Sequence, residues 1–254
     1  MLNGKIQPNF AVIAKTLLVR PPELYGASFA QFYTIHECLG IGYLAAYLRA
    51  HGYPVEIMDA HVDGLSVDET IAEIKDKDFD VLGVSIGSSL VFPQAVQIIR
   101  KIKAWLGNVH ITVGGHYPTF FYKQVLKKYP EIDTVVRFEG EETLLELVEK
   151  KDYSLEWKSI KGIAFRQDAQ IIATPPRPLI ADLDSLPFPA RDTLPRLMER
   201  GGLPLIASSR GCPGRCSFCD VHSFYSTPKG KMWRARSPEN VLQEIEILKK
   251  KNRV

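Results

Sequence analysis

The sequence contains no apolar run approaching the roughly 20 residues that a membrane-spanning helix requires, and this argues against membrane insertion. A signal-peptide layout is not seen at its start either. In MLNGKIQPNFAVIAKTLLV, Lys15 interrupts the apolar stretch and no small-residue cleavage site follows. An excess of one charge is missing too. With 32 basic and 29 acidic side chains the formal net charge is +3, too mild for the electrostatic footprint of a DNA- or RNA-binding protein. Cysteine is scarce, four residues in 254, which is too few for a disulfide scaffold. These absences point to a cytoplasmic protein with no nucleic-acid partner. Hydrophobic residues at 45% and charged residues at 24% suit an ordinary folded core, and the length allows one or two domains.

What is present is an alternation of β-rich runs and amphipathic helical patterns from about residue 16 to residue 150. TLLV, VEIMDA, DVLGVSIGS, VHITVGG and IDTVVRF are five strands, the third nearly all apolar, as a strand covered on both faces is. Helices are predicted over 40–52, 66–77, 93–107, 118–129 and 141–151, with Ser66 and Glu69 forming a capping box. Five strands with intervening helices make an α/β fold with a doubly wound, Rossmann- or flavodoxin-like parallel sheet over residues 1–152. Residues 159–173 read as a hairpin turning at Gln167–Asp168. A passage at 174–195 carries Pro175, Pro176, Pro178, Pro187, Pro189 and Pro195. Proline fixes φ and withholds a donor, so this passage crosses a surface, and 153–200 is expected to be a connector. A further strand over 203–209, a loop, and a helix over 237–252 capped by Ser237 begin a second unit at 201–254.

Three of the four cysteines fall within eight residues, in Cys212-x3-Cys216-x2-Cys219, while Cys38 reads as a core or loop thiol. In a chain without secretion signals such clustering indicates a metal site. Three thiolates can hold three irons of a [4Fe–4S] cluster and leave the fourth open, whereas electron-transfer ferredoxins close their clusters with four cysteines. Gly211 and Gly214 permit the tight wrapping that brings three sulfurs together. The alternative is a zinc knuckle completed by His222, although its usual paired spacing differs from this compact triplet.

SRGCPGRCSFCD resembles the CxxxCxΦC signature of the radical S-adenosylmethionine (radical SAM) superfamily, Φ being aromatic. The resemblance implies a [4Fe–4S] cluster on Cys212, Cys216 and Cys219, with S-adenosylmethionine on the open iron and Phe218 near its adenine. It implies reductive cleavage to a 5′-deoxyadenosyl radical that abstracts hydrogen from a small-molecule substrate, with a reductant such as flavodoxin or ferredoxin. The preceding region resembles the cobalamin-binding module found before many radical SAM domains. The matching pieces, in order, are LLVRPP, GIGYLAAYLRAHGYPVEIMDA, DVLGVSIGS, VGGHYPT, EGEET and DLDSLPFPARD. Ligands of open parallel sheets bind at the carboxyl ends of the strands. There the resemblance implies a cobalamin pocket of Ser85, Gly87, Ser88, Gly114, Gly115, His116, Glu139 and Gly140.

Asp59–Gly64 fits DxHxxG, by which a histidine coordinates cobalt in some cobalamin proteins, but in those it follows the first strand. Here it follows the second, so His61 is expected to be a coincidental match and the cobalamin to be base-off. His36 alone lies in the loop where a ligating histidine belongs. The resemblance leaves methyl transfer and oxidative cyclisation open, and substrate identity unassigned. One strand, the cluster loop and one helix are fewer than a βα barrel requires, so 201–254 is expected to be the opening of a barrel and the chain alone to be inactive. Two other classes are a methylthiotransferase, which carries three further amino-terminal cysteines where this chain has Cys38, and a non-catalytic cobalamin sensor with a vestigial loop. Lys229, Lys231, Arg234 and Arg236 read as a solvated basic loop.

Overall fold

The computed structural model describes residues 13–23, 35–152 and 154–252. A seven-stranded sheet forms the centre, in the spatial order β2-β1-β3-β4-β5-β6-β7. Its five parallel strands are β1 (Thr16–Arg20), β2 (Val55–Asp59), β3 (Val81–Ser85), β4 (His110–Gly114) and β5 (Thr134–Val136). Between them run α1 (Leu39–Ala50), the one-turn α2 (Ala60–Asp63), α3 (Val67–Lys75), α4 (Phe92–Leu106) and α5 (His116–Lys128), and α6 (Glu141–Glu149) follows β5. The doubly wound sheet and its five parallel strands are as the apolar runs predict. Ser66 and Glu69 form the expected reciprocal cap of α3.

The hairpin is present as β6 (Ile163–Gln167) and β7 (Gln170–Ala173), with Asp168 and Ala169 at positive φ in its turn. It does not stand apart in a connector. β6 pairs antiparallel with β5 and extends the sheet, so the sheet has seven strands where five parallel ones were expected from sequence. Buried Phe165 and Ile163 on β6 explain the attachment, since they join the core under α1 and α6.

Residues 174–193 then add no strand and run across α6 and α1, where Arg177 meets Thr143 and Glu146, and Leu183 and Leu186 pack on Tyr43. The crossing is close: Ala190 N–H donates to Gly42 O on α1 (2.9 Å), and a Cβ on Gly42 would lie 2.9 Å from Ala190 O. Beyond it lie α7 (Leu194–Glu199), β8 (Ser209–Arg210), α8 (Asp220–Ser226), β9 (Arg234–Ala235) and α9 (Pro238–Asn252). Ser237 Oγ accepts from Asn240 N at the start of α9, the cap the sequence predicts. The strand expected over 203–209 is reduced to the two residues of β8, paired with β9, plus a single bridge from Leu203 to His36. Pro204, without an N–H, cannot contribute to a continuous ladder.

A buried charge quartet ties the connector and α9 to the sheet. Arg191 pairs with Glu37, ahead of α1, and with Glu244 on α9, and Glu244 also pairs with Arg236. All four side chains are almost wholly buried, so each depends on its partners to offset lost hydration. The basic stretch predicted to be a solvated loop therefore contains two buried arginines, Arg234 and Arg236. Their acidic partners come from elsewhere in the fold.

His110 on β4 is buried, with Nε2 3.0 Å from Thr134 Oγ1 and its ring edge-on to Trp157. Burial lowers its pKa from 6.5 to about 4. The unfolded chain thus binds the proton more readily, so His110 favours folding fully above pH 6.5 and progressively less as pH falls toward 4. A shift of this size corresponds to about 3 kcal/mol. Urea unfolding across this range is expected to show His110→Gln losing less stability on acidification than the wild type. Equal losses would contradict this account.

Candidate functional site

In a parallel strand alternate residues face opposite layers. On β3 and β4, Leu82, Val84, Ile111 and Val113 face α3–α5 and pack into a solid core. The opposite positions are Gly83, Ser85, Thr112 and Gly114, and the register places Gly83 beside Thr112 and Ser85 beside Gly114. Four small residues on two adjacent central strands leave space beneath α1 and α6. A cavity of about 490 Å³ occupies that space and opens at the carboxyl ends of the strands, the position where open α/β sheets bind ligands. Its apolar walls include Leu18, Ile41, Leu44, Val136 and Leu144.

Of the residues predicted for this pocket, Ser85, Gly114, Gly115, His116, Glu139 and Gly140 line the cavity. Gly115 sits at φ +107°, and a Cβ there would come within 2.5 Å of Ile86 O, so the turn into α5 requires glycine. Gly87 and Ser88, also predicted for the pocket, are not part of its lining; they are exposed on the loop past β3, because the chain turns outward after Ile86. Gly83 and Thr112 were missed from sequence. Their signal was parity, two small residues on the same face as Ser85 and Gly114. The Thr112 hydroxyl is buried without a hydrogen-bond partner, a state that typically costs about 1–3 kcal/mol.

The far wall of the cavity is the root of the cysteine loop. Ser209, Arg210 and Gly211 line it, as do Val221, Phe224 and Tyr225 of α8. Gly211 has φ +85° and abuts the Met232 carbonyl so closely that no side chain fits. Arg210 lies over the Tyr43 ring at 4.8 Å and donates to Glu139 (3.1 Å) and Glu141 (2.6 Å). Glu139 also accepts from both Arg234 terminal nitrogens, at 2.9 and 3.0 Å, and from Ile180 N. Burial alone would raise the Glu139 pKa. The Arg234 hydrogen bonds and the Arg210 charge overcome it and hold the carboxyl below its ordinary range. Glu139, predicted as a cofactor ligand, thus joins the sheet to the loop root while still facing the cavity. His116 makes a second junction, stacking on Phe224 at 4.1 Å and lying 3.2 Å from Asp220 Oδ2, next to Cys219.

Cys212 and Cys216 are exposed, and Cys219 is half-buried at the start of α8. Among the described residues no three His, Cys, Asp or Glu side chains converge into a metal-ligand set, so neither a zinc set with His222 nor a gathered thiol triad is assembled. The donor chemistry and the backbone nevertheless suit an iron–sulfur cluster. A Cβ on Gly214 would stand 3.3 Å from Cys212 Sγ and 3.8 Å from Cys216 Sγ, so a residue without a side chain separates two of the thiols. Phe218 is 91% exposed between the second and third cysteines. Cys38 lies across the strand ends, its Sγ 4.0 Å from Ser85 Oγ, and burial pushes its pKa up.

His61 follows β2, the edge strand, and does not line the cavity. Its DxHxxG motif has a local structural role: Asp59 caps α2 by accepting from Val62 N, and Gly64 ends that turn at φ +70°. Burial lowers the His61 pKa to about 4, with the Arg20 charge adding to the effect.

These features define a doubly wound α/β protein with a cleft at its strand ends, bordered by the root of a three-cysteine loop. Comparison with known proteins specifies it further. Residues 27–148 match the B12 binding domain family. The chain is 34% identical over 239 residues to an uncharacterised methyltransferase of Pyrococcus horikoshii, covering 93% of this chain and 50% of that protein. It is 33% identical over 228 residues to the anaerobic magnesium-protoporphyrin IX monomethyl ester cyclase of Rubrivivax gelatinosus, covering 84% of this chain and 39% of that enzyme. The cobalamin-dependent S-adenosylmethionine radical enzyme OxsB, solved with aqua-cobalamin bound, superposes with a TM-score of 0.75 at 25% identity, over 94% of this chain and 32% of that one. The radical S-adenosylmethionine methyltransferase TsrM from Kitasatospora setae shares the fold, with a TM-score of 0.71 at 19% identity, over 94% of this chain and 46% of TsrM. Over most of its length the chain is thus similar to a cobalamin-dependent S-adenosylmethionine radical enzyme, with the B12 binding domain match confined to residues 27–148. It spans about half the length or less of these two curated relatives.

Removing the junction carboxylate should detach the loop root. Glu139→Ala leaves Arg210 and Arg234 short of a partner in a buried setting, at an expected cost of about 3 kcal/mol. Limited proteolysis between residues 200 and 235 is expected to accelerate. An unchanged cleavage rate would show that Glu139 does not hold this segment.

Proposed function

We propose that this chain carries the cobalamin site and the cluster-binding loop of a cobalamin-dependent radical SAM enzyme. One observation carries the reading: the cavity at the strand ends is closed on its far side by the root of the Cys212–Cys219 loop. Two cofactors held there would be neighbours. When bound, the reduced [4Fe–4S] cluster supplies an electron for S-adenosylmethionine cleavage and cobalamin supplies a cobalt centre for radical methyl transfer or oxidative cyclisation.

The chain's own residues have separable tasks. Cys212, Cys216 and Cys219 would hold the cluster, and the exposed Phe218 is free to cover the adenine of S-adenosylmethionine. Gly114, Gly115 and Gly140 let the backbone approach a large flat cofactor closely, with Ser85 and His116 at the same rim. Gly83 and Thr112 mark a deeper slot suited to the cofactor's nucleotide tail. Arg210 and Glu139 fix the loop root against the sheet, which sets the separation of the two sites. The small-molecule substrate, a reductant such as flavodoxin or ferredoxin, and a cytoplasmic setting complete the proposal. Among the described residues no helix is long and apolar enough to cross a membrane.

Anaerobic reconstitution tests both sites. The chain is expected to take up about four irons with broad visible absorption, and Cys216→Ala should lose it. Hydroxocobalamin should survive gel filtration with the protein. Zinc in place of iron, or cobalamin that elutes separately, would refute the corresponding half. A further expected outcome concerns His61: His61→Ala should leave the visible spectrum of bound cobalamin unchanged, since the side chain lies off the cavity. A marked spectral shift would make it a cobalt ligand.

A further inference from the structure

One exposed segment beside the cysteine loop has no part in the sites described above. β8 and β9 form an antiparallel ribbon that pairs Ser209 with Ala235 and Arg210 with Arg234. Just past this pairing, Gly211 abuts the opposite strand: a Cβ there would lie 3.3 Å from Trp233 Cα. Trp233 therefore stands beside the start of the cysteine loop, and it is 51% exposed. Three exposed cations flank it. Arg215 lies between Cys212 and Cys216, and Lys229 and Lys231 lie on the loop leading to Trp233. Among the described residues none of the three pairs with a carboxylate. The acidic side chains joined to this ribbon are already engaged, Glu139 and Glu141 by Arg210, Asp184 by Ser237 N, and Asp220 by His116. The three cations are left unmatched, next to a loop whose first two cysteines are exposed.

Tryptophan and arginine are the residues enriched at the energetic centres of protein interfaces, and a rim of one sign steers a partner of the other. We propose that Arg215, Lys229, Lys231 and Trp233 form the docking surface for an acidic electron-carrier protein, a flavodoxin, that reduces the cluster. The proposal rests on the assignment of the Cys212–Cys219 loop to an iron–sulfur cluster. One electron passes: the anionic flavin hydroquinone becomes the neutral semiquinone and the cluster gains one negative charge, with no bond made or broken. Trp233 is the reason for a flavin carrier. Flavodoxins expose the dimethylbenzene edge of their flavin, and an exposed indole offers that edge a flat apolar contact.

Association of oxidised flavodoxin with the intact chain, followed by interferometry at low and high salt, tests the surface without a loaded cluster. Lys229→Glu combined with Lys231→Glu should slow association at low salt about tenfold, the lower end of what electrostatic steering contributes. The difference should shrink at high salt, where exposed charges are screened. Trp233→Ala should speed dissociation and keep the salt dependence. Reduction of the reconstituted cluster by flavodoxin hydroquinone should slow in the same variants, while dithionite, which needs no docking, should reduce it at the wild-type rate. Lys123→Glu combined with Lys127→Glu, the same charge change on the exposed face of α5, should have no effect. Unchanged association after the Lys229 and Lys231 reversal, an equal loss in the α5 control, wild-type dissociation in Trp233→Ala, or a preference for an acidic ferredoxin would overturn the proposal and leave the cluster assignment standing. A chain that takes up no iron–sulfur cluster would overturn both.

Discussion

The alternation of side chains along a parallel strand is the constraint from which the rest of this structure follows. Each central strand must serve two layers at once. Toward the strand ends of β3 and β4 the layers receive opposite treatment: branched aliphatics on one face, and Gly83, Ser85, Thr112 and Gly114 on the other. Dense packing on the first face supplies the stability that lets the second remain open. A cavity between sheet and helices would otherwise collapse or be filled. Here α1 and α6 are held off the sheet by their own buried residues, Ile41, Ala45, Leu144 and Leu147, and the space at the strand ends persists.

The second organising feature is electrostatic. Glu139 emerges at the carboxyl end of β5 and meets arginines from β8 and β9, more than 70 residues later in the chain. A buried carboxylate with two guanidiniums is weak evidence for net stability, because desolvation offsets much of the attraction. It is strong evidence for placement, since any other docking of the loop root would strand a charge. The same side chain therefore faces the cleft and fixes what lies opposite it. The His116–Phe224 stack adds a non-ionic contact at the start of α5, just past the neighbouring strand β4, so the loop is held from two points.

Much of this was legible in the sequence, and the exceptions have physical causes. The five parallel strands were readable because burial on both faces demands continuous apolar runs. The cysteine spacing was readable because few chemistries need three thiolates so close together. Gly83 and Thr112 escaped notice because a small residue in an apolar run carries no contrast; only the register against β4 shows that the small positions align. Arg234 and Arg236 looked like a solvated patch because their neighbours in sequence include Lys229 and Lys231, while Glu139 comes from another part of the chain. The strand predicted over 203–209 had the right composition, but Pro204 interrupts its ladder. Gly87 and Ser88 were grouped with Ser85 by proximity in sequence, although the strand ends at Ser85 and the chain then leaves the site.

The quartet of Glu37, Arg191, Glu244 and Arg236 has a consequence for how the molecule assembles. Its members come from the start of α1, the proline-rich crossing, α9 and the turn before it. Arg191 and Glu244 each bridge two partners, so the crossing and α9 satisfy these charges fully only when docked together. On a ribosome, where the chain emerges in order, the sheet can form early while the crossing waits undocked for α9. The two prospective cofactor sites would then come into register in a single late step. Cofactor loading would then follow the docking of α9, when the wall of the cleft is complete.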